Sequence, residues 1–196
     1  MITIYLLRHG ETDFNADNNR YCGRTDIPLN ARGLEQARRV HDLLKDKEFD
    51  GVFSSPLERA YETAKRATGN EVVRDERLIE ADFGLWEGKT REEFVEELPD
   101  SWAAWNENPA IAKAGVTGET ATDIVNRMDS FFGELCHKYE TGTFAVVAHN
   151  GVNRLFLAHR LGMPLKNYRQ LVQENSSLTR FTLDKDGILI LELLNA

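Results

Sequence analysis

The chain has 196 residues, of which 41% are hydrophobic and 29% are charged, and its formal net charge is −8. This size suits one domain with a substantial core, and the longest apolar runs fall far short of the roughly 18 to 20 residues of a membrane span. Basic residues are scattered among acidic ones, which disfavours nucleic acid as a partner but permits a small anion held by a few converging arginines.

The amino-terminal stretch MITIYLLRHG has no basic region and no small-residue cleavage site, so we expect a cytoplasmic protein. The two cysteines, Cys22 and Cys136, lie far apart and outside any CxxC or Cys/His pattern. Neither a disulfide framework nor a metal site is therefore indicated. We expect reduced thiols, no metal and no cofactor.

Apolar, β-rich stretches alternate with amphipathic helical patterns along most of the chain. The strand-like stretches are residues 2–7, Gly51–Ser54, 72–73 and 144–148. This alternation predicts a three-layer α/β fold, with a mostly parallel central sheet flanked by helices. Leu178–Leu183, the turn at 184–187 and residues 188–193 then predict a hairpin that closes the sheet with antiparallel strands.

Capping patterns mark three helix starts. Ser55-Pro56-Leu57-Glu58 offers an N-cap at Ser55, a proline at the first helical position and a capping-box glutamate, which places Arg59 in the first turn. The stretches 90–93 and 120–123 repeat this pattern. The predicted helix stops are Gly69, Gly142 and Gly162.

The character of the sequence changes between residues 85 and 120. Trp86, Trp102 and Trp105 lie among acidic residues there, and a loop containing proline and glycine follows at 108–118. We predict a helical lid inserted over the edge of the sheet. No repeat, low-complexity tract or linker divides the chain, so we expect a single domain over residues 1–196.

Two of the predicted strands run into similar polar turns. Residues 2–7 end at the tripeptide RHG, which contains His9, and residues 144–148 end at HNG, which contains His149. If these strands are parallel neighbours, both histidines emerge at the carboxyl edge of the sheet, where open α/β sheets gather their ligand sites. The strand Gly51–Ser54 leads to the same edge.

The predicted cluster is cationic, because Arg8 and Arg59 join the two histidines near a helix amino terminus. Arginine forks match phosphate oxygens and helix amino termini donate N–H groups, so the expected ligand is a tetrahedral oxyanion such as phosphate. A histidine can also attack phosphorus while its second ring nitrogen is held by an acceptor. Nearby positive charge lowers a histidine pKa and keeps the attacking nitrogen unprotonated. The histidines expected to be only surface or core residues are His41, His137 and His159.

The segment LLRHGETDFN at 6–15 resembles the signature of the histidine phosphatase superfamily, also called phosphoglycerate mutase-like. Further similar segments follow in the order of the family: GRTDIPLNARG at 23–33, SSPLERAYETA at 54–64, LIEADFGLWEG at 78–88, GET at 118–120 and VVAHNG at 146–151. The resemblance covers nearly the whole chain and implies the fold of that family.

The resemblance also implies roles for individual residues. His9 becomes the phosphorylated nucleophile and Glu80 the general acid. Arg8, Arg59 and His149 become the pocket around the transferred phosphoryl group. Further phosphate or substrate contacts are expected at Asn15, Cys22, Gly23 and Asn150. Many relatives carry glycine at the position of Asn150, so its side chain could alter the mouth of the pocket, and Cys22 is either a substrate contact or an ordinary loop thiol.

The superfamily contains mutases, which retain the phosphoryl group, and phosphatases, which release it. Cofactor-dependent mutases share a longer insertion with extra arginines and a tyrosine, whereas the cations at 86–118 of this chain are only Lys89, Arg91 and Lys113. The LxExxFGxWEG form resembles the phosphatase branch, which includes alpha-ribazole phosphatase-like and broad-specificity sugar-phosphate enzymes. We therefore expect a metal-independent phosphomonoesterase acting on a small phosphorylated metabolite.

Two alternatives stay open: a cofactor-dependent phosphoglycerate mutase, and a non-catalytic regulatory module that binds phosphate. Substrate choice is expected to depend on the mouth of the pocket, and the candidates are Arg20, Tyr21, Cys22, Arg24, Trp86, Trp102 and Trp105. For the tryptophans, packing within the lid is the favoured role. The carboxyl-terminal hairpin could pair across its edge to form a homodimer.

Overall fold

The computed structural model describes all 196 residues and contains one six-stranded sheet. Its strands are β1 (Ile2–Arg8), β2 (Gly51–Ser54), β3 (Val73–Arg74), β4 (Gly142–Ala148), β5 (Leu178–Leu183) and β6 (Leu189–Leu193). They lie in the order β3-β2-β4-β1-β5-β6. The first four strands pair in parallel, whereas β5 is antiparallel to both β1 and β6. The predicted fold class and the carboxyl-terminal hairpin are confirmed.

Helices cover both faces of the sheet. They are α1 (Asp13–Ala16), α2 (Ala31–Leu44), α3 (Glu58–Thr68), α4 (Arg91–Glu97), α5 (Pro99–Glu107), α6 (Ala121–Lys138) and α7 (Asn150–Arg160). Short 3-10 helices span Glu76–Leu78, Gly84–Trp86 and Leu165–Gln170. No helix is sufficiently long and apolar to cross a bilayer, and the cytoplasmic location stays a prediction.

The central strands are apolar on both sides because each face of the sheet has its own core. In β1, Ile4 and Leu6 join a large cluster with α6 and α7, whereas Tyr5 and Leu7 join a smaller cluster with α2 and α3. This two-sided burial produces the nearly continuous hydrophobic runs that identified the strands from sequence. The same strands end in polar turns that bear His9 and His149.

Two of the predicted helix boundaries are wrong. Helix α3 begins at Glu58 rather than Pro56, and its N-cap is Leu57 without a side-chain bond. The reason is that the Ser55 amide still donates to Val147 O across the sheet at 3.0 Å, so the chain stays extended past Ser55. Gly142 is not a helix stop, because α6 already ends at Lys138 and Gly142 begins β4.

Other caps agree with the sequence analysis. Thr90 and Thr120 each form a capping box with the residue three positions later. Gly69 ends α3 in the left-handed conformation, and Gly162 follows α7 with a positive φ. Arg59 lies in the first turn of α3, as predicted.

We call residues 84–120 the cover segment; it contains α4, α5 and the turns that lead to α6. Its aromatic side chains pack inward against the large core. The Trp86 and Phe94 rings stack with centroids 4.7 Å apart, and Trp105 meets Trp86 edge to face at 5.9 Å. All three side chains are buried, so the favoured packing role of Trp86 and Trp105 is consistent with the structure.

Candidate active site

The two polar turns lie side by side at the carboxyl edge of the sheet. Strands β1 and β4 are parallel neighbours in which Arg8 pairs with Ala148, and the His9 amide donates to Ala148 O at 3.0 Å. The His9 and His149 rings consequently lie with centroids 5.1 Å apart, tilted by 59°. The topology of the sheet thus brings together two histidines that are far apart in sequence.

The orientation of the His9 ring is set by its own turn. Nδ1 lies 2.7 Å from Gly10 O, and since a carbonyl only accepts, Nδ1 carries the proton and Nε2 keeps a free lone pair. The Gly10 amide donates to Thr63 Oγ1 at 3.0 Å, and His9 O accepts from the Ser176 amide at 3.1 Å. These bonds hold the imidazole before any ligand arrives.

Burial keeps both histidines neutral. Desolvation, followed by the positive charges of Arg59 and Arg8, lowers the pKa of His9 well below 6.5. Desolvation and Arg59 likewise lower the pKa of His149. Both ring nitrogens of His149 are buried without a hydrogen-bond partner in the protein. Buried polar atoms are normally satisfied, so these nitrogens are available to a ligand.

Arg8 and Arg59 are buried cations that carbonyl groups hold in place. Arg8 Nη1 donates to Gln173 O at 2.8 Å, and Arg59 donates to the carbonyl oxygens of Thr25 and Gly23 at 2.9 and 2.7 Å. Neither guanidinium forms an ion pair, and the Nε of each has no partner. Burial lowers the pKa of Arg8 to about 10. Two buried cations without an ion pair favour an anionic ligand at this place.

Gly23 has to be a glycine to support Arg59. Its φ is +51°, and a Cβ there would lie 2.0 Å from Glu87 Oε1. Glu87 in turn accepts from the backbone amides of Arg24 and Thr25 at 2.9 and 3.2 Å. This turn directs the Gly23 carbonyl toward Arg59.

The Glu80 carboxylate lies at the amino terminus of α7. It accepts from the amides of Ala81, Gly151 and Val152 at 2.9, 3.1 and 3.2 Å. His149, the N-cap residue, makes no side-chain cap bond, so Glu80 occupies the capping position from a distant part of the chain. A Cβ on Gly151 would lie 2.7 Å from Glu80 Oε1, which leaves no room for a larger residue.

Arg8, His9 and Glu80 line a cavity of about 80 Å³. The predicted site residues in its wall are Arg8, His9, Asn15, Cys22, Gly23, Glu80 and Asn150. Arg59 and His149 are fully buried and do not line it. Among the proposed mouth residues, Arg20 and Tyr21 line the cavity, whereas Arg24 pairs with Glu119 at 3.3 Å outside it.

Three of the predicted contacts have well-defined environments. Asn15 Oδ1 accepts from the Thr12 amide at 3.1 Å and from Asn175 Nδ2 at 3.1 Å. Cys22 Sγ contacts Thr25 O at 3.3 Å, and burial raises the pKa of its thiol to about 11. Cys22 is therefore a neutral thiol near pH 7. Asn150 begins α7, and its Oδ1 is buried without a partner.

Five residues of the cavity wall were not predicted from sequence: Asn19, Phe83, Gly151, Arg154 and Tyr168. Arg154 projects from α7 and donates through Nε to Asn150 O at 3.1 Å, and Tyr168 follows from the last 3-10 helix. Arg154 lies four residues after Asn150 on the same helix face, a spacing that would have identified it. No comparable signal marks Tyr168. No residue of the cover segment lines the cavity, and no cluster of three or more His, Cys, Asp or Glu side chains could hold a metal.

Comparisons with known proteins fit this arrangement. The model of the histidine phosphatase superfamily (branch 1) matches residues 4–196. The chain is 32% identical to phosphoserine phosphatase 1 of Hydrogenobacter thermophilus over 98% of this chain and 92% of that protein. It is 34% identical to the adenosylcobalamin/alpha-ribazole phosphatase of Escherichia coli over 82% and 80%. Phosphoserine phosphatase from Entamoeba histolytica, solved with 3-phosphoglyceric acid, matches with a TM-score of 0.90, 29% identity and coverage of 100% and 98%.

Proposed function

The chain belongs to branch 1 of the histidine phosphatase superfamily and is a phosphatase of small phosphorylated metabolites, and we propose that it works through a phosphohistidine on His9. The observation that carries this proposal is a neutral, pre-oriented His9 ring beside buried nitrogen atoms that lack partners. Those atoms are the Nε of Arg8, the Nε of Arg59 and both ring nitrogens of His149.

In the first step, the lone pair of His9 Nε2 attacks phosphorus and the bond to the ester oxygen breaks. Arg8, Arg59 and His149 stabilise the charge on the equatorial oxygens, since phosphoryl transfer depends mainly on positioning and electrostatics. The proton stays on Nδ1, which continues to donate to Gly10 O. Glu80 gives its proton to the departing alkoxide.

In the second step, the Glu80 carboxylate takes a proton from water, whose oxygen attacks phosphorus. The bond between phosphorus and Nε2 breaks, inorganic phosphate leaves, and His9 returns to its neutral form. Glu80 regains the proton that it lost, so the cycle balances without a metal. Asn15 and Asn150 would donate further hydrogen bonds to the phosphoryl group or substrate from the cavity wall.

The phosphohistidine is tested by rapid quenching of wild-type protein and the Glu80→Gln variant with radiolabelled substrate. With a labelled aryl phosphate, whose leaving group needs little help from a general acid, Glu80→Gln should accumulate an acid-labile phosphoryl-enzyme, because the activation of water is slower by about a hundred- to a thousandfold. His9→Gln should give no label. Labelled Glu80→Gln protein without label on His9 would refute the assignment, and inhibition by EDTA that a divalent ion reverses would refute metal independence.

Measuring the reaction products separates a phosphatase from a mutase. Given 3-phosphoglycerate and catalytic bisphosphoglycerate, we expect free phosphate to exceed the 2-phospho isomer. The cover segment, where the family resemblance predicts the substrate-holding arginines of mutases, contributes no residue to the cavity. Dominant isomerisation would reverse this proposal.

We further propose that residues 1–196 form one domain and that β6 mediates a homodimer. No strand pairs with the outer edge of β6, and Ile188 and Ile190 on or beside it are 61% and 54% exposed. Such an edge is a template for strand pairing with a second copy. Light scattering should show a dimer that Ile190→Lys dissociates. Val73→Lys, at the opposite edge of the sheet, should leave the wild-type mass unchanged, and a monomeric wild type would refute the dimer.

A further inference from the structure

Arg154 is a largely buried cation of the cavity wall that no carboxylate neutralises. Its single hydrogen bond to the protein is the one from Nε to Asn150 O, and it forms no ion pair. Burial lowers its pKa, which reflects the cost of placing an uncompensated charge there. Nη1 and Nη2 have no hydrogen-bond partner in the protein. A guanidinium in this state favours an anionic ligand.

The other charged groups of the cavity already have partners or roles. Arg20 is neutralised by Asp17 and Glu93 at 2.6 and 2.7 Å. Glu80 is the only acidic side chain in the wall, and three backbone amides hold its oxygens. Arg8 belongs to the proposed phosphoryl site. Arg154 is therefore a positive charge of the cavity wall without a carboxylate partner, and it lies outside the set of residues proposed to hold the phosphoryl group.

The orientation of the Arg154 guanidinium is restricted on two sides. Asn150 O holds Nε, and the Tyr168 ring lies beneath the guanidinium, with its centroid 5.2 Å from Cζ. Arg169 lies 4.6 Å from the same ring centroid. A planar fork held in this way, with both Nη groups free, matches a carboxylate by two parallel hydrogen bonds.

Arg154 also lies close enough to Arg8 for its charge to be the second cause, after burial, of the lowered Arg8 pKa. Two cationic groups therefore share one cavity of about 80 Å³. A ligand that carries two anionic groups separated by only a few bonds can satisfy both cations at once. A phosphate ester with a carboxylate on its alcohol portion has this chemistry.

We propose that Arg154, held by Asn150 and Tyr168, forms a second anion subsite that binds a carboxylate of the substrate, so that the enzyme prefers small phosphorylated carboxylic acids. This proposal rests on the phosphatase function proposed above and names its substrate class. It makes Arg154 a specificity-determining residue, whereas bond breaking depends on His9 and Glu80.

The test uses two pairs of esters that differ mainly by a carboxylate: 3-phosphoglycerate with glycerol 3-phosphate, and O-phosphoserine with O-phosphoethanolamine. Wild-type protein should favour the carboxylate member of at least one pair by about ten- to a hundredfold in kcat/KM. Arg154→Gln should reduce that ratio to near one, mainly by raising KM for the carboxylate ester. Arg154→Lys, which keeps the charge but loses the planar fork, should give an intermediate ratio.

Arg169→Gln is the matched control, because Arg169 also lies against the Tyr168 ring and does not line the cavity. It should keep the wild-type ratio. Equal hydrolysis of both members of each pair by wild-type protein would overturn the subsite but leave the phosphatase proposal intact. Equal losses on both members in Arg154→Gln would assign Arg154 to the phosphoryl group instead. No phosphate release from any ester would refute the proposed function itself, and circular dichroism of each variant identifies misfolding.

Discussion

The histidine turns and the aromatic side chains of the cover segment are both buried, but the buried groups differ in kind. Around His9 and His149 they are cationic or polar, and several nitrogens have no partner. In the cover segment they are mainly aromatic rings in close contact, such as Trp86 and Phe94, and the atoms without a partner include the indole nitrogens of Trp86 and Trp105. Burial of unpaired polar groups costs stability, whereas burial of aromatic area supplies it. The comparison indicates that apolar packing elsewhere compensates for the cost of the site.

The largest expected effect is that of His9→Ala on turnover. Loss of the nucleophile should lower kcat/KM for a phosphate ester by about ten-thousandfold or more. The thermal midpoint should stay near the wild-type value, because the variant removes a buried polar ring from an electropositive site. His137→Ala, on the exposed side of α6, is the control and should retain activity. Appreciable turnover by His9→Ala would show that His9 is not the nucleophile.

Phe94→Ala should lower stability and leave turnover nearly unchanged. It removes a fully buried ring that stacks on Trp86, and such truncations cost about 3–5 kcal/mol of unfolding free energy. Measured at a temperature where the variant is folded, kcat should fall by less than about tenfold, because no cover residue lines the cavity. Chemical denaturation and steady-state kinetics give the two quantities. A fall in kcat of much more than tenfold would mean that the cover segment takes part in turnover.

Gly151→Ala adds a single methyl group beside Glu80 and tests whether the position of that carboxylate limits turnover. The added Cβ would lie 2.7 Å from Glu80 Oε1, so the carboxylate must move away from its amide donors. We expect kcat to fall by about a hundredfold, the lower end of what a positioned acid or base contributes, because the carboxylate is displaced and not removed. Gly133→Ala in α6 is the matched control, since a Cβ there has no heavy atom within 4 Å. It should stabilise the helix by up to about 1 kcal/mol and leave kcat unchanged.

The smallest expected effect is on the pH dependence of stability. His149 has a folded-state pKa well below 6.5, so below about pH 6.5 the unfolded chain binds more protons and the unfolding free energy falls as pH falls. His149→Gln should remove about 1–2 kcal/mol of the decrease between pH 7 and pH 5. Phe94→Ala removes no titrating group and should keep the wild-type slope. An unchanged slope in His149→Gln would show that His149 is not held neutral.

The positions of the two histidine turns could be predicted from the sequence because each site residue directly follows a recognisable strand. His9 and His149 directly follow apolar strands, and neighbouring parallel strands must bring such residues together. The boundary at Ser55 could not be predicted, because a sheet hydrogen bond to Val147 O outweighs a good local cap. The four-residue spacing from Asn150 could have identified Arg154, but the contact of its guanidinium with Tyr168 depends on tertiary packing, which no local pattern encodes.

Because Glu80 caps α7, the hydrogen bonds at the start of this helix depend on whether Glu80 is protonated. When this side chain is protonated, one of its oxygens becomes a donor and the amides of Gly151 and Val152 compete for fewer acceptors. The amino-terminal turn of α7 therefore has a different set of hydrogen bonds in each protonation state of Glu80. Because Arg154 lies one turn further along the same helix, the proton donor and the proposed carboxylate subsite share one structural support.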